Sequence, residues 1–349
     1  MLNTKQLAIH SALLGLLLSL ASTVVLAQDT ARPELTGTWS NASLTSLSRP
    51  SGIEELTVSP EDAARIAARI PIAGIAPGDF DANIPIDEET GAPPKGSFDF
   101  GLRGYNSFWV DPGSSLALVK GEFRTSYVIN PENGKIPRLA NPKVSFQDRG
   151  FGRRYLTGVG DNSGPEALPL AERCLLGFGN TAGPGMMGTL YNSTYQFVQT
   201  EDYLLIDVEM VHDARIIPTF DSAEEARANH RPDVLQPWLG DSTGWYEDGS
   251  LIVETININP AQMEQSSVPI TADGKITERF SRYSDGEIVY RFTVEDPNLY
   301  SQPWTAELSF HATEGPVYEY ACHEGNYAMP GILAGARLQE REAEAGLQN

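Results

Sequence analysis

Residues 275–296 read KITERFSRYSDGEIVYRFTVED, two β-rich runs joined by the dipeptide Asp285-Gly286. Asp-Gly favours a type I′ turn, whose twist matches that of a two-stranded antiparallel hairpin. In the second run, alternation with a period of two places one set of apolar side chains on a common face. These residues are Ile288, Tyr290, Phe292 and Val294. The stretch therefore predicts an antiparallel hairpin with an apolar inner face.

The same pattern extends outward through most of the chain. Asn-Gly or acidic-Gly dipeptides also occur at 133–134, 248–249, 273–274 and 314–315. About nine strands are predicted, with no helical period between them. They cover residues 123–130, 195–200, 203–212, 244–247, 250–258, 275–283, 287–296, 305–311 and 317–322. A string of this kind reads as an antiparallel barrel or sandwich. We predict an all-β fold built as a single antiparallel β-barrel, a lipocalin-like meander.

The segments around this barrel have a different character. Residues 28–104 are predicted to be irregular, with one short helix that Ser59 caps and that ends before Pro71. The barrel domain is assigned to residues 105–330, with a short helix near 222–229. A C-terminal helix and tail follow over 331–349. The Gly-rich stretch 179–188 lacks the Lys of a phosphate-binding loop, so we predict a flexible loop there.

The first residues predict export. An apolar run over residues 7–27 follows Lys5 and ends in Val25-Leu26-Ala27, which is typical of a signal peptide cleaved after Ala27. The alternative is an uncleaved membrane anchor, since the run is nearly long enough to span a bilayer. We expect a periplasmic or secreted protein with no stable membrane insertion after cleavage of residues 1–27.

If the protein is exported, its two cysteines lie in a compartment where a disulfide can form. Cys174 and Cys322 form an even pair in an oxidising compartment, so we predict a disulfide between them. The alternative is two buried free thiols.

The chain carries 46 Asp and Glu residues against 25 Lys and Arg, a formal charge of −21. Because nucleic-acid binding requires clustered positive charge, this balance argues against a nucleic-acid partner.

Several strings of the sequence carry a family resemblance. They are HDAR at 212–215, WLGDS at 238–242, FTVEDP at 292–297 and EYACHEGNY at 319–327. With similar segments along nearly the whole mature chain, they resemble an uncharacterised family of exported bacterial β-rich proteins. The resemblance implies one exported β-rich unit, and it implies no particular activity.

Candidate catalytic residues follow from the strand pattern. If the strand from residue 203 continues to 213, His212 lies on its apolar face, and Glu324 joins the interior if the last strand persists. We predict His212 as a general base, with Glu324 or Asp213 as its partner. Arg215 and His323 complete the catalytic candidates. The alternative is a buried histidine bonded to the backbone, beside a glutamate that caps a loop.

No organic cofactor is predicted. A metal could be held by His212, His323 or His230 together with Asp213, Asp241 or Glu324, which are residue types found in zinc and iron sites. No HxH, HxxxH or HExxH spacing sharpens this possibility.

The aromatic residues suggest a ligand. Trp and Tyr side chains lining a wide barrel would suit an apolar or aromatic compound. The predicted ligand contacts are Trp238, Asp241, Tyr290, Tyr320 and Asn326. Our first hypothesis is therefore an exported barrel that binds a small apolar or aromatic ligand in its interior. The second is a His/carboxylate acid-base enzyme (hydrolase, lyase or isomerase) using the same cavity, and the third is a structural envelope protein.

Overall fold

The computed structural model describes residues 32–70, 112–142, 160–264 and 266–346. The predicted signal peptide and its cleavage point lie outside these residues. The described strands are β1 (Gly37–Ser40), β2 (Thr57–Val58), β3 (Leu118–Val119), β4 (Glu122–Arg124), β5 (Val128–Asn130), β6 (Thr194–Gln199), β7 (Tyr203–Val208), β8 (Asp213–Phe220), β9 (Asp241–Glu247), β10 (Ser250–Ile256), β11 (Lys275–Ser284), β12 (Glu287–Glu295) and β13 (Trp304–Ala312). The described α-helices are α1 (Pro60–Ala67), α2 (Ala223–Ala228), α3 (Cys322–Gly325) and α4 (Ala328–Glu344).

Nine strands close into a barrel, which confirms the predicted fold class. The order is β1-β6-β7-β8-β9-β10-β11-β12-β13, and β13 pairs back onto β1. Every junction in this ring is antiparallel except β8–β9, where Thr219 and Phe220 pair in parallel with Gly244 and Trp245. The parallel junction arises because β8 and β9 are joined by a long connection containing α2 instead of a hairpin turn. The barrel is thus a meander with one interruption.

The N-terminal segment contributes one of the barrel strands. β1 pairs with β6 on one side and with β13 on the other, so it closes the ring. Trp39 on β1 is 2 % exposed and packs in the core. The barrel therefore includes a strand from the N-terminal segment 28–104. The predicted domain boundary between residues 104 and 105 stays a prediction.

The predicted hairpin and its inner face are confirmed, but its turn is not the predicted type I′, because neither Asp285 nor Gly286 has a positive φ. β11 and β12 pair across Asp285-Gly286, and the four inward residues of β12 are completely buried. Asp248-Gly249 joins β9 and β10 with positive φ at both residues, as a type I′ turn requires. The other three dipeptides do not form tight hairpins, and the one at 273–274 ends the long loop 257–274.

Aromatic side chains fill the interior of the barrel. Ring centroids lie 4.9 Å apart for Phe280 and Tyr290, and 5.0 Å apart for Tyr195 and Phe310, so the rings pack against one another. All four side chains are completely buried. Burying each large apolar side chain contributes about 1.5–3 kcal/mol to the free energy of folding. The described interior is a packed core.

Two predicted strands are wrong in ways that matter for the site. The run from Tyr203 stops at Val208, and a 3₁₀ turn over Met210–His212 leads into β8. Val211 and His212 have positive φ angles of 61° and 54°, which no strand can accommodate. Residues 317–321 are irregular instead of extended in a sheet, and α3 follows.

The helices and the disulfide agree with prediction. Ser59 caps α1 by accepting a hydrogen bond from the Asp62 N–H at 3.2 Å, and α2 and α4 lie close to their predicted positions. Cys174 and Cys322 form the predicted disulfide across 148 residues of sequence. Among the described residues, no helix combines the length and apolar character needed to cross a membrane.

Replacing both cysteines with serine, Cys174→Ser and Cys322→Ser, is expected to lower the free energy of unfolding by about 2–5 kcal/mol. The reason is that a cross-link spanning 148 residues restricts the unfolded chain strongly. Urea denaturation of the variant and of the unreduced wild type measures the difference. An unchanged midpoint, or two reactive thiols in the denatured and unreduced wild type, would contradict the assignment.

Candidate functional site

A Gly-rich loop closes one end of the barrel. We call residues Gly177–Gly188 the plug. The predicted flexible loop is wrong, because residues 180–187 are all buried. A Cβ atom added to Gly183 would lie 2.9 Å from the Arg215 guanidinium, and one added to Gly185 would lie 3.3 Å from the Phe292 ring. The absence of side chains at these positions lets the plug backbone approach the inner face of the barrel.

Beneath the plug lies a buried ion pair. The guanidinium of Arg215, on β8, binds both carboxylate oxygens of Glu278, on β11, with Nη1–Oε1 at 2.9 Å and Nη2–Oε2 at 2.5 Å. The two side chains are 2 % and 0 % exposed. Tyr290 on β12 donates its hydroxyl hydrogen to Glu278 at 2.5 Å. Arg215 Nη2 also donates to the hydroxyls of Ser242 and Thr255. The pair is thus held by inner-face residues of several strands.

The protonation states of this cluster follow from burial. Burial alone lowers the pKa of Arg215, but the Glu278 carboxylate outweighs it and the net shift is upward. Burial, together with the charge on Glu278, raises the pKa of Tyr290 well above its ordinary value of 10.0. Tyr290 therefore stays protonated and donates a hydrogen bond to Glu278, and its oxygen is left to accept one.

The plug supplies that hydrogen bond and others. The backbone N–H of Met186 donates to the Tyr290 oxygen at 2.9 Å, and that of Gly185 lies 3.4 Å from Glu278 Oε1. In the other direction, Gln262 Nε2 donates to the carbonyl of Gly183 at 2.8 Å. The backbone of the plug thus satisfies polar groups that belong to the barrel and to the loop 257–274.

A narrow cleft lies beside the plug. It is lined by Asn180, Pro184, Gln262, Ser266, Val268 and Ile270. Its volume of about 170 Å³ includes space open to solvent, and it is too narrow to admit a water molecule. Gln262 is 5 % exposed, and its Oε1 atom is buried without a hydrogen-bond partner. An orphan acceptor in a buried cleft is uncommon, since leaving one unpaired costs about 1–3 kcal/mol.

The prediction that His212 points into the barrel is wrong. Because β7 ends before it, His212 lies in an exposed turn, and its Nε2 atom accepts a hydrogen bond from the Tyr320 N–H at 3.0 Å. Accepting that bond requires the neutral imidazole with its proton on Nδ1. Neighbouring Glu209 accepts from the Tyr318 N–H at 3.1 Å. The turn therefore anchors the C-terminal segment instead of presenting a free base.

The pairing of His212 with Glu324 is also wrong. Glu324 and His323 are exposed on α3, and no hydrogen bond joins either of them to His212 in the described structure. α3 begins at Cys322, where a strand was predicted, so no strand carries Glu324 into the interior. The three residues share one end of the barrel without forming a catalytic pair.

The remaining predicted residues at this end have packing roles. Asp213 is buried and accepts from the Gly177 N–H at 2.7 Å, which fixes the start of the plug. Tyr320 stacks on Tyr191 with ring centroids 6.5 Å apart. The Asn326 amide donates to the Glu172 carbonyl at 2.8 Å, beside the disulfide. Among the predicted residues, Arg215 and Tyr290 reach the centre of the barrel, and Asp213 lies on the same inner face of β8 as Arg215.

Trp238 and Asp241 lie elsewhere. Trp238 is 38 % exposed in the loop before β9, and the Asp241 side chain lies on the outer face of the barrel. There Asp241 Oδ2 bonds Nδ1 of His230 at 2.8 Å. On its other side, His230 Nε2 lies 3.2 Å from the Thr243 hydroxyl and 3.7 Å from Glu254. An imidazole between two carboxylates joins the α2 region to β9 and β10.

The electrostatics of this outer cluster favour a charged histidine. Burial lowers the pKa of His230, but the nearby carboxylates of Glu254 and Asp241 outweigh it and raise the pKa above 6.5. The proximity of His230 in turn lowers the pKa of Glu254. With Arg227 and Lys275 also within 4 Å of Glu254, the cluster is a closed ion-pair network. Across the described ranges, no group of three or more His, Cys, Asp or Glu residues is arranged to hold a metal ion.

Two functional candidates were missed by sequence reasoning. Glu278 and Gln262 contact the plug, yet neither was singled out. Glu278 shares the period of Ile276 and Phe280, so the alternation that worked for β12 would have placed a carboxylate on an apolar face of β11. Gln262 lies in an irregular loop, where no periodic signal exists.

Comparison of the chain with models of protein families, with curated proteins and with solved structures finds no match. The family resemblance drawn from the sequence strings therefore stays a prediction.

Changing His230 to glutamine tests the outer cluster. Because the folded pKa lies above 6.5, the stabilisation is fully present below that pH and is lost as the pH rises through the raised value. We expect wild type to exceed His230→Gln in stability below pH 6.5, with the difference shrinking at higher pH. Denaturant unfolding at several pH values measures it. His323→Gln on exposed α3 is the control, and parallel profiles for wild type and His230→Gln would disprove the assignment.

Changing Asp213 to asparagine tests the opposite dependence. Burial raises the pKa of Asp213 from 3.8 to about 6, so the folded state holds its proton more tightly than the unfolded chain. The wild type should lose up to about 3 kcal/mol relative to Asp213→Asn as the pH rises across this interval. Asparagine keeps an acceptor for Gly177. Unfolding is followed at pH values spanning the interval, with Asp207→Asn on β7 as control, and equal pH profiles for wild type and Asp213→Asn would contradict the burial argument.

Proposed function

We propose that this is an exported barrel protein that binds a small apolar or aromatic compound at its plugged end, where the ligand takes the place of the plug. One observation carries the proposal. Besides the barrel hydroxyls of Ser242 and Thr255, the buried cluster of Arg215, Glu278 and Tyr290 receives hydrogen bonds from the backbone of a Gly-rich loop, and Arg215 Nε is buried without a partner. Those positions are ones that polar atoms of a ligand can occupy.

The cluster is costly if its only role is stability. Removing two charges from water takes several kcal/mol per ion, and apolar side chains of similar volume often give an equal or more stable core. A barrel already filled by aromatic rings has no need of Arg215 and Glu278 for packing. A small number of convergent polar groups surrounded by apolar side chains is instead typical of ligand sites.

Ligand binding as proposed requires displacement of the plug. It contains five glycines among residues 177–188, and several of its contacts are single backbone hydrogen bonds. The bond from Gly185 to Glu278 is long at 3.4 Å. The buried side chains of Ala182, Met186 and Met187 hold the plug in the core, so its open state is a minor one. A ligand that binds only the open state shifts the equilibrium between the closed and open states.

The walls left behind by the plug determine the kind of ligand. Phe292 and Val268 contact Gly185, and Phe280 packs beside Tyr290. The adjoining cleft adds Ile270. These side chains offer apolar and aromatic contact around a polar centre, which suits a small apolar or aromatic compound with a polar atom.

Two further observations support export and disfavour the enzyme alternative. A disulfide persists in an oxidising compartment, in agreement with the apolar run at the N-terminus. The acid-base hypothesis loses its geometric basis, because His212 is exposed with Nε2 engaged by Tyr320 and Glu324 lies apart from it. We therefore propose binding in preference to catalysis.

Weakening the plug should reveal the site. In Gly183→Ala, the new Cβ would lie 2.8 Å from Met186 and 2.9 Å from Arg215, at a φ of +83°. We expect the apparent affinity for the neutral fluorophore N-phenyl-1-naphthylamine to rise at least about tenfold over wild type, because the open state becomes more populated. Fluorescence titration measures the affinity and the stoichiometry.

The matched control is Gly52→Ala. Gly52 has the same φ of +83°, but an added Cβ there meets nothing within 4 Å, so the backbone strain is equal and the plug is untouched. Both proteins are purified from the periplasmic fraction of cells that express the full chain, and recovery there tests export as well. Equal binding by the two variants, or binding by Gly183→Ala that does not saturate at one site, would refute the proposal.

A further inference from the structure

The way in which the plug is held identifies a ligand class. We infer that the natural ligand of the plugged end is a neutral peptide or peptide-like amide, an inference that rests on the proposed function. The plug is itself a peptide segment bound by the barrel, so its contacts describe what the site recognises. Each contact can be read as a requirement on the ligand.

Hydrogen bonds run in both directions between the plug and its surroundings. The Met186 N–H donates to Tyr290, whereas the Gly183 carbonyl accepts from Gln262. Only two residues lie between the donor and the acceptor along the chain. A hydrocarbon or a simple ether offers no such alternation of donor and acceptor, and a peptide backbone offers it by construction.

The charge state of the site favours a neutral ligand. Arg215 and Glu278 already neutralise each other and are 2 % and 0 % exposed. Tyr290 gives its hydrogen to Glu278, so it presents an acceptor to the ligand. A ligand carboxylate would face this acceptor and the Glu278 carboxylate. The Arg215 guanidinium also faces the plug, but Glu278 already pairs with it. The desolvation free energy of an unpaired charge there would exceed the stabilisation from its contacts.

The side-chain spaces add a sequence preference. Met186 is completely buried in the core cluster, whereas a Cβ at Gly185 would lie 3.3 Å from Phe292 and 3.5 Å from Val268. A small residue followed by a long unbranched apolar one therefore fits. Methionine suits such a pocket because its flexible side chain fills irregular space.

The test uses the plug sequence as a free peptide. Acetyl-Gly-Pro-Gly-Met-Met-Gly-amide, which reproduces residues 183–188, is titrated into the full-length Gly183→Ala protein by calorimetry. A second peptide carries a methyl group on the backbone nitrogen of the first Met, and a third has Asp in place of that Met. We expect the first peptide to bind one site, and each altered peptide to bind at least about fivefold more weakly.

A second variant isolates the recognition of the backbone N–H. Tyr290→Phe in the Gly183→Ala background removes the acceptor, so the parent and N-methyl peptides should then bind with equal affinity. The four affinities form a double-mutant cycle, which separates this contact from general loosening of the barrel. Circular dichroism of each variant establishes that it is folded before titration.

The outcomes separate the two proposals. Binding of naphthylamine to Gly183→Ala without binding of the parent peptide overturns the peptide inference and leaves the proposed function intact. Absence of binding by both probes overturns both. Equal affinity of the parent and N-methyl peptides for Gly183→Ala also overturns the inference, because recognition of the backbone N–H would then be absent. Weaker binding of both altered peptides, with the N-methyl effect abolished by Tyr290→Phe, supports it.

Discussion

The buried ion pair between Arg215 and Glu278 is the constraint on which the architecture of the barrel interior depends. Two charges withdrawn from water must be satisfied by each other and by nearby dipoles, since a buried unpaired charge is far more costly than a lost contact. The hydroxyls of Tyr290, Ser242 and Thr255 converge on the pair from separate strands. The closed end of the barrel keeps this arrangement dry.

The chain closes that end with segments distant in sequence. The plug covers the ion pair, Asp213 fixes the start of the plug, and the disulfide between Cys174 and Cys322 joins its approach to the C-terminal region. The turn at His212 then holds the residues that lead to α3. Several ionisable residues that the sequence suggested as catalytic thus hold segments in place around the buried ion pair. This role explains why they cluster without forming a catalytic pair.

The agreement between sequence and structure follows the range of the interactions involved. The inner face of β12 was predictable because alternation and the Asp285-Gly286 turn act within a few residues. Alternation failed at His212 because it cannot show where a strand ends. The two residues with positive φ before β8 carry no turn sequence of the usual kind, since one is a β-branched valine. The burial of the plug could not be predicted either, because its glycines are compatible with both a mobile surface loop and a close-packed one.

The sequence by itself determined that this is an all-β protein, where two of its hairpins turn, which side chains of β12 enter the core, and that two cysteines are available to pair. These properties depend on local backbone preference and on the period of the apolar residues. Only the tertiary structure decided that β1 closes the ring, that Arg215 meets Glu278 across 63 residues, and that the plug enters the barrel. Such contacts depend on strand order and shape complementarity between distant segments, which no local pattern encodes.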